Sequence, residues 1–589
     1  MSREVSDRLV SRFQDIWPEA RVQVGEGFSL TWHTHESRKV FQPESSNLWV
    51  VDGSVEIAKE VGDAVAVPAH PLHRSALNEW PLDAAGCLVR IWRSGADVEA
   101  FVDESGAFPL YYASQGSGFV VGTLAAPVAF AVSAEPDITG VTQFLQNGSM
   151  VGSRSLFRGV QRLMPGQRLT FALDKGLRVA ETSKAWAGVA DGSRASVERD
   201  ALAQMTSALS TVRPNTMVMA SGGWDSRTLL GLRATVEPVM NAYVHGDLGS
   251  REVALVRQLI ETLRGRLLEM PIDASVLEWD RLSRSFKSSG NAVFPHWHIA
   301  GQAAASANFS VVTAGVLGEV IGGHYGPAMI GSSRMRAYRL MLGLVGVRAL
   351  GRGVGGEAAR GLMKSQTTPR MQWYLNPELE DGVSSAARET AEETAVRIDG
   401  LIKRGVSNDA QLVEAFITET RGAQYICAQL ASCRFGVEID LPFARRDFFR
   451  LASTIPIEMK IHNRLNRLLL SESNPHLLRL PLAATLVPAS YPIALQEVSR
   501  LVRRTVEGSR WQRTVTGSAS LGWVNFDFMR SSAAVMKCID SLTADLWNKP
   551  RLISTVLEFQ AGKSWISPHP LYDQLNKIHT VDLELQTAR

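Results

Sequence analysis

Hydrophobic and polar positions change rhythm twice along this chain. From residue 1 to about 185, short apolar runs recur between turn-forming residues: Leu48–Val51, Val65–Val67, Leu88–Trp92, Phe119–Val121 and Leu169–Phe171. Such spacing predicts a β-rich unit, a two-layer sandwich or α+β domain. Residues 187–194, rich in Gly, Ala and Ser, form the best linker. From 195 to 330 the pattern alternates. Helices are expected at 198–212, 227–235 and 252–263, with buried strands at 216–220, 239–244 and 309–314. That alternation predicts a parallel sheet with helices on both faces. From about 331 onward helical periodicity dominates.

Composition narrows the class. The 589 residues are 45% hydrophobic and 21% charged, as expected of a soluble globular chain rather than a disordered one. The net charge of +3 gives no pull toward nucleic acid or a membrane. The longest apolar runs, 308–320 and 341–347, fall short of the ~20 residues that cross a bilayer. The N-terminal segment has no apolar signal-like core, and four cysteines make no disulfide framework, so a reducing, cytoplasmic setting is expected. Residues 334–370 carry eight Arg or Lys against Glu357 alone. A solvated helix face accounts for this; a phosphate-rich or acidic partner is the alternative.

The chemistry concentrates in Met217-Val-Met-Ala-Ser-Gly-Gly-Trp-Asp-Ser-Arg-Thr-Leu-Leu230, where an apolar strand runs through a glycine turn into a helix. Gly222 and Gly223 let backbone N–H groups approach an anion, and the following helix adds its unpaired N–H groups and positive end. Ser221 and Ser226 add hydroxyls. Asp225 beside a phosphate needs a cation between them, which makes it a natural Mg²⁺ ligand. The loop has neither the Gly-Lys-Ser/Thr ending of a Walker A motif nor the glycine spacing of a dinucleotide fingerprint.

The hexad Ser221-Gly-Gly-Trp-Asp-Ser226 resembles the pyrophosphate loop of the ATP pyrophosphatase superfamily. Within it, the chain is most similar to the asparagine synthetase branch, which includes β-lactam synthetases and lasso-peptide cyclases. Further anchors are Pro109-Leu-Tyr-Tyr112 with Phe119–Thr123, Leu156–Gly166, Gly315-Val-Leu-Gly-Glu-Val-Ile-Gly-Gly323 and Val437-Glu-Ile-Asp-Leu-Pro-Phe443 followed by Ile455–Lys460. The resemblance implies a degenerate N-terminal-nucleophile α+β sandwich of the glutaminase type at 1–186. A doubly wound, parallel-sheet pyrophosphate-loop domain follows at 195–475, then a helical extension at 476–589. It implies ATP and Mg²⁺ as nucleotide and metal, with Ser221, Gly222, Gly223, Asp225, Ser226, Gly315 and Gly318 around the phosphates. Backbone groups at Val244 and His245 would read the base, Asp247 and Glu252 would lie near the nucleotide, and Asp225 and Glu319 would hold the metal. The expected reaction adenylates a small-molecule or peptide carboxylate and passes it to an amine or ammonia, with no nucleic acid or membrane partner.

Departures from the family pattern limit that reading. Ser2 stands where the glutaminase has its nucleophilic cysteine, and the stretch before Pro109 lacks the family's glutamine-holding arginine, so no glutamine dependence is expected. Val316 replaces a proton-moving group in the second loop. Glu438 is the candidate substitute. The family's catalytic lysine is missing after 460, which leaves Lys460, Arg464 and Arg467 as candidate cations. His33, His35, His70 and His73 make no complete metal set. Trp297 and His298 could face substrate or pack in the core, while Cys427 and Cys433 read as packing. Three alternatives stay open: an intramolecular lactam-forming cyclase, a nucleotide-binding scaffold without turnover, and a tRNA-modifying pyrophosphatase.

Overall fold

A computed structural model gives the fold. It describes the backbone of residues 21–25, 28–32, 38–44 and 47–54 and, with short breaks, residues 85–92, 97–323, 356–506 and 526–589. Ser2, the histidines at 33, 35, 70 and 73, the strand expected at Val65–Val67, most of the linker 187–194, the basic residues 334–355, and Trp511 and Trp523 lie outside the described residues.

The first region carries a six-stranded antiparallel sheet. Its spatial order is Gly176–Glu181, Gln167–Ala172, Asp97–Val102, Ala85–Trp92, Asn47–Ser54, Arg38–Glu44. A three-stranded sheet, Gly118–Gly122 against Tyr111–Gln115 against Gln161–Arg162, accompanies it. Alternation sets the inward face: along Gln167–Ala172, Leu169 and Phe171 are buried and Thr170 is exposed. The tight turn after Val102 is organised by Asp103, whose carboxylate accepts from the N–H groups of Gly86 at 2.5 Å and Ser105 at 2.6 Å. Burial pushes that carboxyl up to about 7 against the pull of these donors.

The second region holds an all-parallel five-stranded sheet. Its strands are β1 (Thr216–Met219), β2 (Asn241–Gly246), β3 (Arg266–Pro271), β4 (Val311–Ala314) and β5 (Glu438–Asp440). Their spatial order is β3-β2-β1-β4-β5. Strands β1 and β4 are buried at every position, so they read as continuous apolar runs rather than alternating ones. Helices α1 (Arg194–Ser210), α2 (Trp224–Arg233), α3 (Arg251–Thr262), α4 (Trp279–Ser289) and α5 (Pro295–Ser306) intervene. Helix α3 starts at Ser250, whose hydroxyl accepts from the Val253 N–H, and buries Val253, Leu255, Val256, Leu259 and Ile260. The chain builds outward from β1 to β3, then returns to the other side of β1 for β4. The strand order therefore reverses between β1 and β4, where a crevice opens at the carboxyl ends of the strands.

Helices dominate the rest. Asp409–Ile417 and Cys427–Ala431 are α-helical and flank a π-helical stretch, Thr418–Ile426. Helix α6 (Arg464–Ser473) follows, and α7 (Pro568–Thr587) closes the chain. The boundary expected at 475/476 does not separate two cores. Leu477, Leu478, Leu482 and Ala489 share one cluster with Trp224, Leu259 and Leu470. The expected extension is not an appendage either: Leu571, Leu575 and Ile578 of α7 pack in one core with Val128 and Leu145 of the first region and Val276 and Leu282 of the second. All four cysteines are buried, which agrees with packing roles for Cys427 and Cys433. Among the described residues no helix is long and apolar enough to cross a membrane.

Candidate functional site

Two loops meet in the crevice, one after β1 and one after β4. The first runs Ala220–Gly223 and enters α2 at Trp224, three residues earlier than the periodicity predicts. Asp225 and Ser226 therefore occupy the first turn of α2, where backbone N–H groups lack helical partners and the helix end is positive. The loop is tied to itself. The Ser226 hydroxyl accepts from the Ser221 N–H at 3.1 Å and lies 2.8 Å from the Ser221 hydroxyl. Ser221 Oγ accepts from the Gly223 N–H at 3.3 Å. Gly222 N–H donates to Glu252 at 2.9 Å, so this loop already holds a carboxylate where an anion is expected. Burial pushes the Glu252 carboxyl up. A Cβ on Gly222 would come within 2.8 Å of the Ala483 methyl, which explains the glycine.

The second loop lies directly on the first. A Cβ on Gly315 would stand 2.6 Å from the Ser226 nitrogen, and one on Gly318 2.4 Å from the Asp225 Cβ. Both positions must be glycine for the loops to touch. Between those glycines Leu317 is held at φ 67, a left-handed conformation costly for a branched side chain, with the residue fully buried. Gly323, at φ 67, leaves no room for a Cβ beside Ile461. The outcome is a pair of carboxyls, Asp225 and Glu319. Burial pushes both up, and the charge of Glu319 pushes Asp225 further. Asn466 of α6 donates to Asp225 at 3.4 Å, while its carbonyl accepts from Thr228 at 3.0 Å. Glu319 Oε2 is buried without a hydrogen-bond partner. Two half-buried acids held side by side, one with a buried, unpartnered oxygen, fit a divalent cation whose remaining ligands come from phosphate and water. No third His, Cys, Asp or Glu joins them among the described residues.

The other expected site residues are distributed unevenly. Glu438 is not at the crevice. It begins β5, pairs in register with Val311, and Val311 with Thr216, so it lies at the opposite, amino-terminal end of the sheet. There it pairs with Arg213. Lys460 is not a surface cation; its Nζ is fully buried, 2.9 Å from Glu414, and lies over the Trp186 ring. Arg464 turns away to Glu198 of α1 at 2.8 Å. Arg467 does reach the loop, its guanidinium 5.8 Å from the centre of the Trp224 ring. Strand β2 runs past its last pairing with β1, Met219 with Tyr243, so Val244 and His245 edge the crevice. Their side chains face the core. His245 stacks edge-on against Tyr243, His296 and Trp297, and burial holds its imidazole down at about 3. His298 is fully buried, which favours packing over substrate contact. Val316 is buried and apolar and moves no proton.

Three neighbours carry no sequence signal. Asn466 orients Asp225 from a helix remote in sequence. Arg227 is fully buried and donates to the carbonyls of Leu477 at 3.0 Å, Leu480 at 2.9 Å and Pro481, clamping residues 477–481 over the first loop. Arg421, exposed in the π-helical stretch, lies over the Tyr425 ring at 4.7 Å, and its charge draws the Glu319 carboxyl back down. Irregular helical turns of this kind recur at functional sites because they re-aim side chains. No protein-family model matches the chain, and no curated protein matches it.

Proposed function

We propose that this chain is an ATP-dependent amide-forming ligase of the asparagine synthetase type that does not use glutamine. The observation that carries this reading is the Asp225–Glu319 carboxyl pair, assembled by two glycine-rich loops at the switch point of a parallel sheet beside a helix N-terminus. Phosphates of ATP would lie along Ser221–Ser226, accepting from loop and α2 N–H groups. Binding would require Glu252 to release or share the Gly222 N–H. Asp225 and Glu319 are the residues that would hold Mg²⁺, which when bound offsets phosphate charge and eases departure of pyrophosphate. Asn466 fixes Asp225, Arg467 lies beside Trp224, and Arg421 presents a cation near Glu319.

In the first step a substrate carboxylate oxygen bonds to the α-phosphorus and the bond to pyrophosphate breaks. In the second, an amine bonds to the acyl carbon and the bond to AMP breaks. Among the described residues, neither Glu438 nor Val316 replaces the missing base. Glu438 is at the far end of the sheet and Val316 is apolar. The amine would therefore arrive neutral and hand the proton that it loses on forming the amide to the departing phosphate of AMP. A second reading, a nucleotide-binding scaffold without turnover, is favoured by that same gap and by the pairing of Lys460 with Glu414.

ATP–pyrophosphate exchange, screened over candidate carboxylates, separates the two. The ligase reading expects carboxylate-dependent exchange that falls by about 10²-fold or more in Asp225→Ala. Nucleotide binding without exchange for any carboxylate would establish the scaffold instead.

A further inference from the structure

Beyond the crevice, the helix Ile493–Val506 is turned inside out. Polar side chains tie it to the body of the protein. Gln496 is buried and donates to the carbonyls of Ala489 and Tyr491, both at 3.0 Å. Ser499 donates to the Thr485 carbonyl, and Arg500 pairs with Glu497 at 2.7 Å. The apolar side chains face outward: Leu495 is 52% exposed, Val498 47%, Leu501 60% and Val502 45%. Helix α3 shows the ordinary arrangement, with its apolar residues buried. Reversing that arrangement leaves an apolar face in water, which marks an interaction surface.

The spacing says what fits it. Leu495, Val498, Val502 and Thr505 fall three, four and three residues apart, the repeat with which one helix seats against another. Beside that seam stand Ala494, Ser499, Leu501 and Val506, none of them charged. A seam without flanking cations is poorly made for an anionic lipid surface. It does suit itself. When two copies of the helix run antiparallel about an axis at residue 500, Val498 stands opposite Val502 and Leu495 opposite Thr505. The half that carries Glu497 then faces the half that carries Arg503, and the helix dipoles oppose. A parallel pair would set like against like. A 14-residue helix is about 20 Å long. One such face buries less than the ~800 Å² per partner of a standard interface, so the pairing is weak and depends on concentration. The helix is already folded on the body, so little ordering entropy opposes it.

We infer that this face pairs with the same face of a second copy of the chain, as an antiparallel two-helix contact. The pairing is independent of the nucleotide reading. Sedimentation velocity on the full chain tests it. The wild type should shift from one copy to two between about 1 and 100 µM, the range of a contact this small. Val498→Asp combined with Val502→Asp should weaken pairing by more than about tenfold and keep the chain single through that range. Its melting temperature at low concentration should match the wild type, because both sites are exposed. Leu501→Cys should join two copies through a disulfide when diamide is the oxidant, since Leu501 lies beside its own counterpart across the axis. Adding Val498→Asp should abolish that link. A wild type that stays single throughout, a dimer that persists with both aspartates, or a dimerising Leu501→Cys chain that does not link would overturn the assignment. A single-copy chain that instead co-sediments with phosphatidylglycerol vesicles would give the face to lipid and overturn it as well.

Discussion

Gly318 decides whether the two loops can meet, because any side chain there would collide with Asp225, the residue it must approach. Gly318→Ala should therefore separate Asp225 from Glu319. We expect a stability loss of about 1–3 kcal/mol from the overlap, with Mg²⁺ affinity lost outright, read by denaturant unfolding and by metal titration without nucleotide. Lys460 and Glu414 pose the reverse case, a charged pair with no solvent exposure. Burial lowers the lysine and raises the glutamate, so each tolerates its charge only because of the other. Lys460→Met alone should cost about 3–5 kcal/mol by leaving a buried carboxylate unpaired, and the double variant with Glu414→Leu should recover most of it. Were Lys460 instead a phosphate ligand, the single variant would lose nucleotide affinity while keeping its stability.

Elements were legible wherever local pattern and tertiary demand agreed. The expected strands β1, β2 and β4 lie within about two residues of their expected limits, because a strand buried on both faces must be apolar throughout, whereas β3 and β5 are not among the expected strands. Helix α3 shows the 3–4 spacing and the serine cap that announce it. Helix α2 starts earlier than periodicity indicates, since Trp224, Asp225 and Ser226 give no amphipathic signal although the chain is already helical there, right after the extended Gly223. The π-helical stretch has no signature either, and Arg421 within it was not a sequence candidate. The segment after α6 is held by Arg227 through three carbonyls rather than by its own periodicity. Arg227→Ala should destabilise by on the order of 3 kcal/mol, as bonds to a charged group are lost. Limited proteolysis should then cut first within residues 475–489.

At the scale of the whole molecule, α7 joins the first and second regions in one core, and Glu584 within it links stability to pH. Its carboxyl is raised to about 8 in the folded chain, above the value near 4.3 of an unfolded glutamate. The stability tied to its neutral form is complete below that lower value and is lost as pH rises toward 8, because the unfolded chain releases the proton first. Glu584→Gln removes this dependence. The gap in melting temperature between variant and wild type should widen in favour of the variant from about pH 4.5 to 8, and a constant gap would show that the carboxyl titrates normally. The chain's own sequence determined the order of its regions, the buried parallel strands, and the loop at Ser221–Ser226, since each is a local pattern of apolar runs, glycines and hydroxyls. Tertiary structure alone decided that Glu319 meets Asp225 and that Asn466 orients it. It also sent Glu438 to the far end of the sheet, buried Lys460, and made the last helix part of the core. Those outcomes depend on which distant segments share a sheet end or a cluster, and contacts between residues tens to hundreds of positions apart leave no periodic trace along the chain.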